Sequence, residues 1–87
     1  MNFEGLQKKL DFNKSWPLNY MFKFIVPDID GKVDKIVSML PTYGKNSFKN
    51  SSNFKYVSIT CVAWMNSAKD IIAVLEAVAV VDGVMIL

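Results

Sequence analysis

Lys55-Tyr-Val-Ser-Ile-Thr-Cys-Val-Ala-Trp64 is the stretch from which the fold can be read. Most of its residues are β-branched or aromatic, and no glycine or proline interrupts it, so it reads as a strand. Side chains along a strand alternate between two faces. One face here carries Val57, Ile59, Cys61 and Ala63, the natural core side. The other carries Tyr56, Ser58, Thr60, Val62 and Trp64, an amphipathic set suited to meet solvent or a partner. Such alternation belongs to an antiparallel sheet covered on one side only.

Upstream, Asn50-Ser-Ser-Asn53 makes a turn, and a weak strand is predicted over Lys45 to Lys49 with Phe48 as its one large apolar residue. Lysines and low hydrophobicity suit an exposed edge. From Asp30 to Leu40, Val33, Ile36, Val37 and Leu40 fall on one helical stripe, and Pro41 ends the helix. Asp28 or Asp30 is expected to accept from the free N–H groups of its first turn. Tyr20-Met-Phe-Lys-Phe-Ile-Val26 reads as another strand, with Phe22, Phe24 and Val26 inward and Met21, Lys23 and Ile25 outward.

Downstream, Ser67-Ala-Lys-Asp70 has capping-box spacing, with Asp where Glu is preferred. The helix it opens turns Ile71, Val74, Leu75 and Val78 inward; Asp82-Gly83 then turns the chain into a short strand, Val84 to Leu87. The order is strand, helix, strand, strand, helix, strand. It predicts an α+β, ferredoxin-like sandwich: a four-stranded antiparallel sheet of order 4-1-3-2 with two helices on one face.

The division expected is a polar leader over residues 1–14 and a single domain over 15–87. In the leader, Phe3, Leu6 and Leu10 recur at helical spacing, but Gly5 and the short length point to a loosely docked tail. A competing expectation has the leader fold over the outward sheet face, with Phe3 or Leu6 covering it.

Composition narrows the function. The chain has one cysteine, so no internal disulfide can form, which fits a reducing compartment such as the cytoplasm. Its longest apolar stretch, Ile71 to Val81, is split by Glu76 and falls far short of the roughly 20 residues of a membrane span. Ten lysines oppose eight acids, and there is neither arginine nor histidine. The planar guanidinium clamp on phosphate or carboxylate is therefore missing. So is the usual general base near neutral pH.

Four segments carry a family resemblance: Tyr20-Met-Phe-Lys-Phe-Ile-Val-Pro27, Lys55-Tyr-Val-Ser-Ile-Thr60, the helix from Ser67 to Glu76, and Asp82-Gly-Val-Met-Ile-Leu87. They resemble the YbeD-like family of small uncharacterised bacterial proteins, from about Ser15 onward. The resemblance implies a ferredoxin-like fold similar to the ACT regulatory domains that sense amino acids in metabolic enzymes. It brings no catalytic or ligand motif, and fold analogy by itself sets only a prior for function.

Cys61 lies mid-strand on the core face, where a structural thiol is expected rather than a nucleophile. Asp28, Asp30 and Asp34 crowd a helix start, where capping and the helix dipole account for them. Acylphosphatases share the fold but hold phosphate with an arginine. Ferredoxin-like metallochaperones need a Cys-x-x-Cys pair, and Asp28-Ile-Asp-Gly31 lacks the later oxygen ligands of a calcium loop. No catalytic residue, metal or cofactor is expected.

RNA-recognition modules stack bases on aromatics of the two central strands. That pattern is broken here, and Lys45, Lys49 and Lys55 read as a solubilising edge hairpin, so nucleic acid is disfavoured. What remains is a non-enzymatic regulatory or interaction module, docking to itself or to a protein through the outward face or the edge strands. An ACT-like small-metabolite sensor is the alternative, with Asp28, Asp30 and Gly31 as its ligand loop. RNA binding is the weaker third reading.

Overall fold

In the computed structural model, which describes residues 2–12 and 15–87, the two long strands form the centre. These are β1 (Leu18–Pro27) and β3 (Tyr56–Met65), paired antiparallel along their whole length from Leu18 opposite Met65 to Pro27 opposite Tyr56. β2 (Lys45–Asn50) adds to β3, and β4 (Met85–Ile86) adds to β1 through Phe24 and Ile25. The sheet order is β2-β3-β1-β4, the reverse statement of 4-1-3-2. The fold is the ferredoxin-like sandwich that the strand–helix order predicts.

Burial follows the alternation residue by residue. Val57, Ile59, Cys61, Ala63 and Met65 of β3 are buried, as are Phe22, Phe24 and Val26 of β1. Helices α2 (Lys32–Met39) and α3 (Ala68–Ala79) supply the other half of this core through Ile36, Ile71, Ile72, Leu75 and Val78. Ser67 caps α3: its hydroxyl oxygen accepts the Asp70 N–H at 3.1 Å. Gly44 lets the loop before β2 come close to the core. A Cβ there would sit 2.7 Å from the Cys61 sulfur and 3.3 Å from the Ala63 Cβ.

Three details depart from the sequence reading. The start of α2 is not capped by Asp28 or Asp30. Asp30 and Gly31 are both left-handed, at φ 52° and 70°, which leaves side-chain-free Gly31 at the capping position. The Lys32 N–H is taken instead by the Ile29 carbonyl at 3.1 Å. Second, the leader is not a loose tail. Residues Glu4–Asp11 form a helix, α1, that packs against α3. Leu10 is only 9% exposed, and Phe3 and Leu6 pack on the core. Met1, Asn13 and Lys14 of the leader lie outside the described residues. Third, Ile72 is buried and Val74 only partly so, because α1 adds a neighbour on that flank of α3.

The docked leader also decides the cover question. α1 lies beside α3, on the helical side of the sheet, and leaves the opposite face open.

Candidate functional site

The open face is built by register. Residues directly opposite in a ladder share a side of the sheet. Met21 stands opposite Val62, Lys23 opposite Thr60 and Ile25 opposite Ser58. Across the other ladder, Lys45 pairs with Val62, Ser47 with Thr60 and Lys49 with Ser58. β4 places Met85 opposite Ile25, and the Leu87 N–H donates to the Lys23 carbonyl. The register places Met21, Lys23, Ile25, Tyr56, Ser58, Thr60, Val62 and Trp64 on one side of the sheet, as strand alternation predicts. Ser47 and Met85 join them only through pairing across strands too short or too polar to align from the sequence alone.

The face is apolar toward its two ends, around a polar centre of Lys23, Ser58 and Thr60. Met21 is 60% exposed, Trp64 59% and Tyr56 47%, while Ile25, Ser58, Thr60 and Val62 are half-buried between their neighbours. Two shallow hollows mark its two ends. One, of about 190 Å³, is walled by Tyr56, Lys49, Ile25 and Ser58 with Asn50 and Ser51. The other, of about 240 Å³, is walled by Trp64, Lys45, Asn19, Val62, Tyr43 and Ala63. Each places one lysine beside aromatic and aliphatic surface.

The basic trio forms differently from the one expected. Lys45 and Lys49 share the open face with Lys23, whereas Lys55 sits in the β2–β3 turn, where its carbonyl accepts the Asp28 N–H at 2.9 Å. That turn is held by side chains: the Asn53 amide oxygen accepts the Ser51 hydroxyl at 2.7 Å and the Lys55 N–H at 3.1 Å.

The expected ligand loop lies elsewhere, at a hollow of about 460 Å³ between α2 and β2. Asp28 and Gly31 line it with Lys32, Val33, Asp34, Phe48, Asn50 and Val57; Asp30 does not. Phe48 pairs with Ile59 and so points to the helical side, yet it is 53% exposed. The one cation in this lining, Lys32, donates to the Asp82 carbonyl at 2.9 Å and stands 3.9 Å from its carboxylate. Two carboxylates and a committed lysine make this hollow unfavourable for an anionic ligand.

The thiol is withdrawn from chemistry. Cys61 is fully buried, and burial pushes its pKa above the ordinary value. A thiol held in its neutral form is a poor nucleophile. Among the described residues, no three of His, Cys, Asp and Glu converge as metal ligands would. No helix there is long and apolar enough to cross a membrane.

Against known families, the sequence matches one described as a protein of unknown function, DUF493, over residues 13–87. The chain belongs to the DUF493 family. The DUF493 match takes in all four strands and the helices α2 and α3, and it begins after α1. No curated protein and no solved structure matches the chain. Membership in DUF493 brings no residue role with it, so the face and the hollows stand on their geometry.

Proposed function

We propose that this DUF493 protein, a YbeD-like bacterial domain, is a non-enzymatic module of the cytoplasm that docks a protein partner through its open sheet face. One observation carries the reading. A four-stranded sheet has α1, α2 and α3 gathered on one side, and its other side presents Met21, Trp64, Tyr56 and Met85 to solvent. Large apolar side chains exposed together at both ends of one sheet face mark an interaction site, and Met and aromatic residues are enriched at interface cores. A regulatory role follows if the partner is an enzyme, since a bound module of this size biases whichever partner conformation it fits.

The test is site-specific photocrosslinking in cells. A photoreactive residue at Thr60, in the middle of the face, is expected to give a discrete protein adduct. The same residue at Ala73, exposed on α3, is expected to give none. Adducts at Ala73 but not at Thr60 would place docking on the helices and end this reading.

A further inference from the structure

Charge is distributed across this molecule by layer. None of the four strands contains Asp or Glu. All eight acids lie on the helices or their flanking loops: Glu4 and Asp11, Asp28, Asp30 and Asp34, Asp70, Glu76 and Asp82. Lys23, Lys45 and Lys49 therefore stand on the open face with no carboxylate side chain of the sheet among them. A net charge of +2 over the chain hides this asymmetry.

We infer that the occupant of the open face is an acidic amphipathic helix of another protein, seated along β1 and β3 with its carboxylates against Lys45, Lys49 and Lys23. The inference rests on the docking reading above and adds the chemistry of the partner. A second copy does not fit, because face-to-face association would oppose lysines to lysines with no acid to separate them. Pairing of two β2 edges would likewise bring Lys45 and Lys49 against their own copies, which is how exposed edges resist association. Single-stranded RNA fits less well. Tyr56 and Trp64 are eight residues apart on one strand, about 27 Å, so they cannot stack neighbouring bases, and the centre between them is Lys23, Ser58 and Thr60.

The dimensions suit a helix. Ten-residue strands give a face about 33 Å long and, over four strands, about 15 Å across. A helix is about 10–12 Å wide with its side chains. The two hollows are lined by residues six apart on both central strands, Asn19 and Ile25 on β1 and Val62 or Trp64 against Tyr56 or Ser58 on β3, about 20 Å. That distance is roughly 14 residues of helix, so the partner carries two apolar anchors about four turns apart on one face, each with a carboxylate beside it.

The experiment uses the intact chain labelled for amide NMR and four probes. The first is a synthetic helix of about 20 residues with a leucine stripe flanked by glutamates. The second keeps the leucines and replaces every glutamate by lysine. The third is a single-stranded RNA oligonucleotide, and the fourth is a vesicle of phosphatidylcholine with phosphatidylserine. The acidic helix is expected to bind, shifting the amides of Met21, Lys23, Ile25, Ser58, Thr60 and Val62. Binding should weaken about tenfold in K45E/K49E, whose sites are exposed on an edge strand, and stay unchanged in K69E on α3. It should also weaken steeply toward about 1 M salt, where charges are screened beyond about 3 Å. If both helices shift the face equally, docking there stands and the acidic chemistry falls. If shifts map to α1 or α3, both readings fall. Failure of the acidic helix to bind, or tighter binding of RNA or vesicle, overturns the inference.

Discussion

Replacing Leu10 with alanine tests whether α1 is part of the folded body. The substitution cuts an isobutyl side chain to a methyl at a position 9% exposed, within the same buried cluster as Ile72 and Leu75. Leucine-to-alanine changes in cores cost about 2–5 kcal/mol, depending on how far the site can collapse. Leu10 sits at the margin of the cluster on a short helix that can settle inward, so the low end applies, about 2 kcal/mol. A domain of this size has about 4–13 kcal/mol in hand, so the variant still folds. Its melting temperature should drop by roughly 8–16 °C, at about 4–8 °C per kcal/mol. Thermal unfolding followed by circular dichroism reads this directly, with a urea midpoint as the second measure. A melting temperature indistinguishable from the parent would show that α1 is undocked in solution. Deleting residues 1–12 should then perturb amides on α3 around Ile72 and leave those of Met21 and Trp64 where they are.

Gly44→Ala should destabilise by about 1–3 kcal/mol, since its new Cβ meets the Cys61 sulfur and the Ala63 methyl; combining it with Cys61→Ala should recover part of the loss, read as non-additive urea midpoints. Ser67→Ala should cost about 1 kcal/mol by leaving the Asp70 N–H without its cap, and equal stability would show the cap is replaced by water. Stability should also fall in alkali. Burial holds the Cys61 thiol above its ordinary pKa of 9.0. The unfolded chain therefore loses this proton first, so the stability is whole below that value and declines as pH rises past it. Tyr20, half-buried and likewise raised above 10.0, adds to the decline at still higher pH. Urea midpoints across this range should show the first decline flattened in Cys61→Ala; an unchanged profile would contradict the assignment.

The sheet was legible because its signal is local. Val57, Ile59, Cys61 and Ala63 alternate with polar or amphipathic neighbours, and a slip of one residue would turn the whole set to solvent. Ser67 and Asp70 named the α3 start for the same reason: cap and donor are three residues apart. α1 was not legible. Eight residues that include Gly5 make a marginal helix alone, and only packing on α3 holds it. The α2 start failed for a backbone reason. Asp30 and Gly31 adopt left-handed conformations that no side-chain pattern announces, and these displace both aspartates from the capping role. The face residues of β1 and β3 could be read from alternation, but the gathering of Lys23 with Lys45 and Lys49 needed the register of three strands. The layered charge was present in the sequence throughout, and it became visible only once every acid could be assigned to a helix or loop.

Docking through the open face is tested most directly by brief acetylation of lysines in intact cells, quantified by peptide mass spectrometry against the purified protein. Lys23, Lys45 and Lys49 report on the face, while Lys8, Lys9 and Lys69 on the helices serve as the internal reference. Selective protection of the first three in cells is the expected result. Equal reactivity in cells and in the purified state, or protection confined to the helical lysines, would contradict it.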